Sequence, residues 1–163
     1  TRSLWISFFF SLILCVYGNN NNYLNFINSL NRQKYKNFEV IIIDQNKVPI
    51  LKPKKCRFKI NILKSKPGLS ISRNLGMKYS SGKYLGFPDD DCMYSEDTLN
   101  LAFKHFSNNK ADIISGVTIN KYGKKTLLKY PNKKKIYNKF DIVRSLNSVS
   151  FFIKKKILNL IMT

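Results

Sequence analysis

Apolar residues come in blocks along this chain, and the spacing inside the blocks changes from one to the next. Ser11 to Tyr17 is an almost unbroken apolar run that stops at Gly18-Asn19. A short continuous run of this kind predicts a parallel strand buried on both faces. In Tyr23 to Gln33, the residues Tyr23, Phe26, Ile27 and Leu30 recur at helical spacing, so an amphipathic helix is expected. Phe38 to Ile43 predicts a second buried strand, closing on Asp44. From Arg57 to Leu63 the pattern alternates, with Phe58, Ile60 and Ile62 set against Lys59 and Asn61, the period of a third strand. Between the last two, Gln45 to Lys55 carries Pro49 and Pro53 and reads as a loop.

The second half continues in the same manner. Gly68 makes a turn, Ser70 is the expected cap of a helix running to Ser80, and Arg73 and Asn74 fall in its first turn. Ser81-Gly82 stops that helix. Tyr84 to Phe87 predicts a short strand that leads into Asp89, Asp90 and Asp91. Ser95 then caps a helix with Glu96 and Asp97 in its first turn, where carboxylates suit the helix dipole. Its buried stripe is Leu99, Ala102, Phe103 and Phe106, which leaves His105, the single histidine, on the exposed side. Ala111 to Thr118 predicts a strand, Tyr122-Gly123 a turn into Thr126 to Tyr130, and Lys133 to Leu146 a basic surface segment. Ser148 to Ile153 predicts a last strand, and Lys154 to Ile161 a last helix. No internal repeat interrupts this order. Strands alternating with helices predict an α/β fold with a mostly parallel sheet and helices on both faces.

The three aspartates change the picture most. In extended backbone Asp89 and Asp91 would face the same way, roughly 6–7 Å apart, with Asp90 turned away. Two like charges at that spacing repel by about 2–3 kcal/mol at an effective dielectric near 20. A bound divalent cation offsets that repulsion, and Mg²⁺ or Mn²⁺ is typically held by one or two carboxylates plus substrate phosphates. A solvated acidic turn is the alternative. Against it, only nine carboxylates occur in 163 residues, and three of them stand together after an apolar strand. In open α/β sheets, ligands bind at the carboxyl ends of strands.

Composition sets the bounds. The length allows one domain, read as residues 11–163, with 1–10 left unassigned. A net charge of +20, from 29 Lys and Arg against nine Asp and Glu, suits nucleic acid, an anionic membrane or a polyanionic substrate. A nucleic-acid module is disfavoured: no helix-turn-helix, RNA-recognition or zinc signature is present, and the aspartates would go unexplained. No nucleic acid is therefore expected as a partner. Cys15, Cys56 and Cys92 match no metal-binding spacing and point to a reducing compartment, Cys15 and Cys56 as core residues. Thiolate at Cys92 would not suit Mg²⁺ or Mn²⁺. The apolar stretch Leu4 to Tyr17 is shorter than the roughly 20 residues a membrane span needs, and no small-residue cleavage site follows it.

The segments SLILCVYGNN, SLNRQKYKNFEVIIID and PGLSISRNLGMKYSSGKYLGFPDDD, in this order and spacing, resemble a family 2 glycosyltransferase of the GT-A, nucleotide-diphospho-sugar transferase type. The resemblance covers Ser11 to Phe106 and resumes weakly over Ser150 to Leu158. It implies transfer of a sugar from a nucleotide-diphosphate donor, a UDP-sugar first, to a glycan or lipid-linked acceptor. It further implies that Val16, Tyr17 and Asp44 hold the base, that Arg73 and Asn74 line the donor pocket, and that Asp89 and Asp90 face the donor. Asp91, with Asp89, would hold Mg²⁺ or Mn²⁺ in a D-x-D motif. A cytoplasmic location at the inner face of a membrane is implied too, where Lys133 to Lys135 and Lys154 to Lys156 would each add about 1 kcal/mol of attraction to anionic lipid.

Two departures from the family pattern stand out. After Asp44, the usual aspartate and serine are replaced by Gln45-Asn46-Lys47, which leaves base contacts there open. The family's acid–base carboxylate belongs to a Glu-Asp pair downstream of the segment that SVSFFIKKKIL resembles. The general base is accordingly expected beyond Thr163 and the domain to be C-terminally incomplete. The alternative function is a nucleotide-sugar-binding remnant without turnover.

Overall fold

The computed structural model describes residues 8–18, 21–108, 111–126 and 148–161. Six strands form one sheet in the order β3-β2-β1-β4-β6-β5. Strands β1 (Phe10–Val16), β2 (Phe38–Asp44), β3 (Lys59–Lys64) and β4 (Tyr84–Gly86) run parallel, and β6 (Phe151–Lys154) is antiparallel to β4 and to β5 (Ile113–Ser115). The mostly parallel sheet expected from the sequence is present.

Alternation along the central strands divides the core in two, because successive side chains leave opposite faces. Leu12, Leu14, Val40 and Ile42 pack with helices α1 (Tyr23–Asn31) and α3 (Thr98–Asn108). Ile13, Ile41 and Ile43 pack on the other face with α2 (Leu69–Tyr79), and α4 (Lys155–Ile161) adds Ile157 and Leu158 to that layer. Each fully buried aliphatic or aromatic side chain here contributes about 1.5–3 kcal/mol. Helix α2 lies close to β1 because residue 76 is glycine: a Cβ there would overlap the Ile13 side chain.

Four local expectations are corrected. The cap of α2 is Gly68 rather than Ser70, at φ 142°, a conformation that favours glycine, and no side chain caps this helix. Starting two residues earlier, α2 carries Arg73 and Asn74 in its second turn. Helix α3 begins only at Thr98, after Glu96 and Asp97, because the buried Gln33 side chain reaches across to serve its start: its Oε1 accepts the Leu99 N–H at 3.0 Å and its Nε2 donates to Ser95 O at 2.6 Å. The strand predicted over Ala111 to Thr118 is cut to β5, since from residue 117 the chain bonds into its own hairpin around Gly123. Finally, β3 is an edge strand whose Ile60, Asn61, Ile62 and Leu63 are all half-buried, so its alternation is blunted. The segment predicted over Lys133 to Leu146, and residues 127–130 of the one before it, lie outside the described residues.

At the amino ends of the central strands sits a buried acid that the apolar pattern hid. Glu39 Oε1 accepts hydrogen bonds at 2.7 Å each from Ser11 Oγ, Ser81 N–H and Ser81 Oγ, and Ser11 Oγ accepts the Gly82 N–H at 2.8 Å. Lys59 Nζ stands 3.7 Å from the other Glu39 oxygen. β1, β2 and the entry to β4 are thereby tied together.

Candidate active site

The functional end is the opposite one. Val16 and Asp44 are register partners at the carboxyl ends of β1 and β2. A cleft of about 540 Å³ opens there, lined by Cys15 at the end of β1 and Tyr17 after it, Gln45 after β2, Pro67, Gly68 and Leu69 at the start of α2, and Pro88, Asp89 and Asp90 after β4. The order of the strands explains the gathering: β2, β1 and β4 are neighbours, and each delivers its following loop to the same rim.

The aspartates are not extended. The N–H of Cys92 donates to the Asp89 carbonyl at 3.3 Å, closing a turn over residues 89–92 just after Pro88. The turn cancels the expected pairing of Asp89 with Asp91: Asp89 and Asp90 line the cleft, and Asp91 stands exposed beside it. Arg73 Nη2 lies 3.5 Å from Asp89 Oδ1, and its guanidinium stacks 5.6 Å from the Phe87 ring centre. Burial pushes the Asp89 carboxyl above the ordinary carboxylate range, Arg73 opposes this and Asp91 adds to it. Burial likewise raises Asp90, with Asp91 reinforcing and a hydrogen bond from the Tyr17 backbone opposing. Of the three carboxylates, Asp89 alone is paired with the guanidinium. The chemistry of this set suits a divalent cation, which Asp89 with Asp90 or Asp91 would hold, phosphate oxygens completing the shell. Among the described residues no cluster of three or more His, Cys, Asp or Glu forms a cage by itself.

The base of the cleft is different in kind. Asp44 is 1% exposed. Its Oδ1 accepts from Asn46 N–H at 3.0 Å and Asn46 Nδ2 at 2.9 Å, and its Oδ2 from Ile50 N–H at 3.2 Å and Lys64 Nζ at 2.8 Å. Burial works to raise this carboxyl, but the bonds from Lys64, Asn46 and Ile50 outweigh it and hold the group below the ordinary range. Gln45 is 7% exposed, and its Oε1 accepts the Gly68 N–H at 2.8 Å, joining the loop after β2 to the start of α2. Burial pushes the Cys15 thiol up to about 11 and that of Cys92 up to about 12, so both are protonated at neutral pH.

Of the residues singled out in the sequence, Tyr17, Asp89 and Asp90 line the cleft, Val16 and Asp44 lie beneath it, and Arg73 flanks it on α2. Asn74 is exposed and outside the lining, as is Asp91. Sequence reasoning missed Gln45 and Lys64 as members of the site, and it missed the uncapped start of α2. The position of Gln45 directly after a strand-closing aspartate was the available signal.

Parallel strands delivering an acidic turn and a polar loop to one cleft, with a helix start as its wall, define the GT-A architecture. The chain belongs to glycosyl transferase family 2, whose profile it matches over residues 11–159. It is 35% identical over 104 residues to an uncharacterized glycosyltransferase of Rickettsia bellii, an alignment covering 61% of this chain and 15% of that protein. The amylovoran biosynthesis glycosyltransferase AmsB of Erwinia amylovora is 30% identical over 99 residues, covering 55% and 33% respectively. Among solved structures, S. aureus TarS 1-349 in complex with UDP-GlcNAc superposes with a TM-score of 0.65 at 17% identity, covering 94% of this chain and 47% of that one. The mannosyltransferase PcManGT of Pyrobaculum calidifontis, in complex with GDP-Man and Mn²⁺, gives 0.67 at 12% identity, over 94% and 46%. The chain therefore spans a third or less of these two relatives and just under half of these two structures. Among the described residues no helix is long and apolar enough to cross a membrane.

Proposed function

We propose that this chain carries the donor half of a glycosyltransferase site, binding a nucleotide-diphosphate sugar in the cleft together with Mg²⁺ or Mn²⁺. The observation that carries the reading is the meeting of Tyr17, Gln45, Asp89 and Asp90 in one cleft at the carboxyl ends of neighbouring strands. The donor complexes of the two structural neighbours support it. Val16, Tyr17 and Asp44 form the base end, and Asp89 and Asp90 the diphosphate end. Arg73 and Asn74 belong to the α2 side, where Arg73 supplies a cation for developing negative charge. Past Gly68, whose N–H is held by Gln45, the start of α2 adds first-turn N–H groups that favour an anion from Leu69 onward.

Transfer of the sugar expels a nucleoside diphosphate, so negative charge builds on the leaving oxygens. A bound divalent ion supplies Lewis-acid stabilisation of that charge, worth several kcal/mol. The protein's part is to supply the Asp89 and Asp90 carboxylates that would hold it. An acceptor hydroxyl also needs a general base within hydrogen-bond reach. Asp97 is engaged with Lys34 and Asp112 with Lys154, both at 2.8 Å, and neither lines the cleft. The acceptor's base is proposed to come from elsewhere in the protein, and the acceptor to be a glycan or lipid-linked sugar at the cytoplasmic face of a membrane.

Calorimetric titration of the 163-residue chain with UDP, with Mn²⁺ and with EDTA, tests the donor reading. Binding is expected to tighten with Mn²⁺, and Asp89→Asn to remove most of the gain. Equal affinity in Mn²⁺ and EDTA overturns the metal assignment.

A further inference from the structure

A nucleobase entering this cleft meets a carboxylate that has no acceptor capacity left. An ionised carboxylate offers about four lone-pair sites. At Asp44, Asn46 fills two with its N–H and its Nδ2, and Ile50 N–H and Lys64 Nζ fill the others. Asn46 does not replace it: its Oδ1 holds the Gly18 N–H at 2.7 Å, and its Nδ2 is directed to Asp44 and Val16.

Gln45 is arranged in the opposite sense. A backbone N–H only donates, so the Gln45 atom that meets Gly68 N–H at 2.8 Å is the oxygen, and the amide orientation is fixed by chemistry. Its Nε2, with two N–H donors, is left without a hydrogen-bond partner among the described residues. No side-chain nitrogen or oxygen of those residues is both sealed from solvent and unpartnered. The Nε2 of this nearly buried, cleft-lining residue therefore opens into the cleft.

We propose that Gln45 selects the nucleobase, donating from Nε2 to an acceptor on the base edge, while Asp44 positions the loop that carries it. The proposal rests on the nucleotide-sugar reading of the cleft. Its consequence concerns one ring position. Uracil N3 carries a hydrogen and donates, whereas cytosine N3 is an acceptor, and both rings carry the O2 acceptor. A free carboxylate would accept uracil N3–H and repel cytosine N3. An amide N–H has no such preference, since uracil offers it O2 and O4 and cytosine O2 and N3. Tyr17, 65% exposed at the rim, offers either ring a face to stack on.

The test is to titrate UDP and CDP, each with Mn²⁺, into the 163-residue chain and into Gln45→Glu. The variant keeps an oxygen for Gly68 N–H but turns the outward donor into an acceptor. The wild-type chain is expected to bind CDP within about threefold of UDP or more tightly, and Gln45→Glu to prefer UDP by about tenfold or more. A purely structural role lowers both affinities together, so an unmoved ratio overturns the proposal. A wild-type preference for UDP above about thirtyfold, unchanged in the variant, also overturns it and leaves the nucleotide reading intact. If neither nucleotide binds the wild-type chain, both readings fall. Should Gln45→Glu not fold, Gln45→Met removes the donor at similar volume, along with the acceptor for Gly68 N–H, an effect on the start of α2 that the pyrophosphate control reads. It must then weaken CDP and UDP while Mn²⁺–pyrophosphate, which has no base, binds as before; an equal loss for pyrophosphate overturns the proposal.

Discussion

Asp44 and Asp89 follow strands on either side of β1, yet their surroundings are opposite. Asp44 is buried, takes four hydrogen bonds and is held below the ordinary carboxylate range. Asp89 is half-exposed, has one guanidinium at 3.5 Å and is raised by burial. The same side chain at the carboxyl ends of the two strands that flank β1 is thus a structural anchor in one loop and an underpartnered carboxylate in the other. What separates the two roles is how many donors the fold has already supplied, since a carboxylate short of donors gains most from an arriving cation.

Stability separates the two loops most sharply. Asp44→Ala strands the N–H groups of Asn46 and Ile50 and is expected to cost about 2–6 kcal/mol, at roughly 1–3 kcal/mol per donor left alone. Asp90→Asn, by contrast, neutralises a carboxyl that folding already disfavours in its charged form, and urea unfolding should show it as stable as wild type or more so. Similar losses for both variants would erase the distinction.

Metal binding should show the reverse order. Asp89→Asn is expected to weaken Mn²⁺-dependent UDP binding about tenfold or more, the scale on which even outer partners of a metal act. If Mn²⁺ affinity in the presence of UDP is unchanged, the cation sits elsewhere.

Acid sharpens the comparison through the sign of each shift. A lowered carboxyl contributes stability that is full above its unfolded value, near pH 4, and is lost as pH falls through the folded value. A raised one opposes folding once ionised, and that opposition fades on acidification. Wild-type urea midpoints should therefore drop below about pH 4, and Asp44→Asn should show a flatter acid limb. Parallel acid limbs would mean that Asp44 is not the group being titrated.

The smallest effect concerns Cys15, between the two loops. With its thiol up near 11, alkylation at pH 7 should be slow, and Mn²⁺–UDP should slow it a few-fold further. Acceleration by nucleotide would place the donor away from this wall.

The strands and α1 were readable because burial on both faces leaves a continuous apolar run, and burial on one face leaves a stripe. What escaped was long-range. Ser70 has the better capping chemistry, but Gly68 starts α2 because Gln45, distant in sequence, holds its N–H. The aspartates read as extended because alternation continues a strand by default, whereas the bond from Cys92 to Asp89 ends it at once. Glu39 sat inside an apolar run, and only the fold brings Ser11, Ser81 and Gly82 to it. Cleft and aspartates were legible as a neighbourhood; which lone pairs remained free was not.

Glu39 gives the sheet a fixed foot and a free rim. It lies five residues before Asp44 on β2, roughly 16 Å from the cleft at the usual strand rise. Alignment of the central strands is settled at that foot by bonds that no donor or acceptor touches. Loops at the rim are then insulated from the task of lining the strands up, and they can be exchanged one at a time. On the proposed nucleotide-sugar reading, a lineage built on this plan could retool which nucleotide or sugar it accepts by rewriting residues 45–57 or 65–68, while the scaffold beneath the cleft stays where it was.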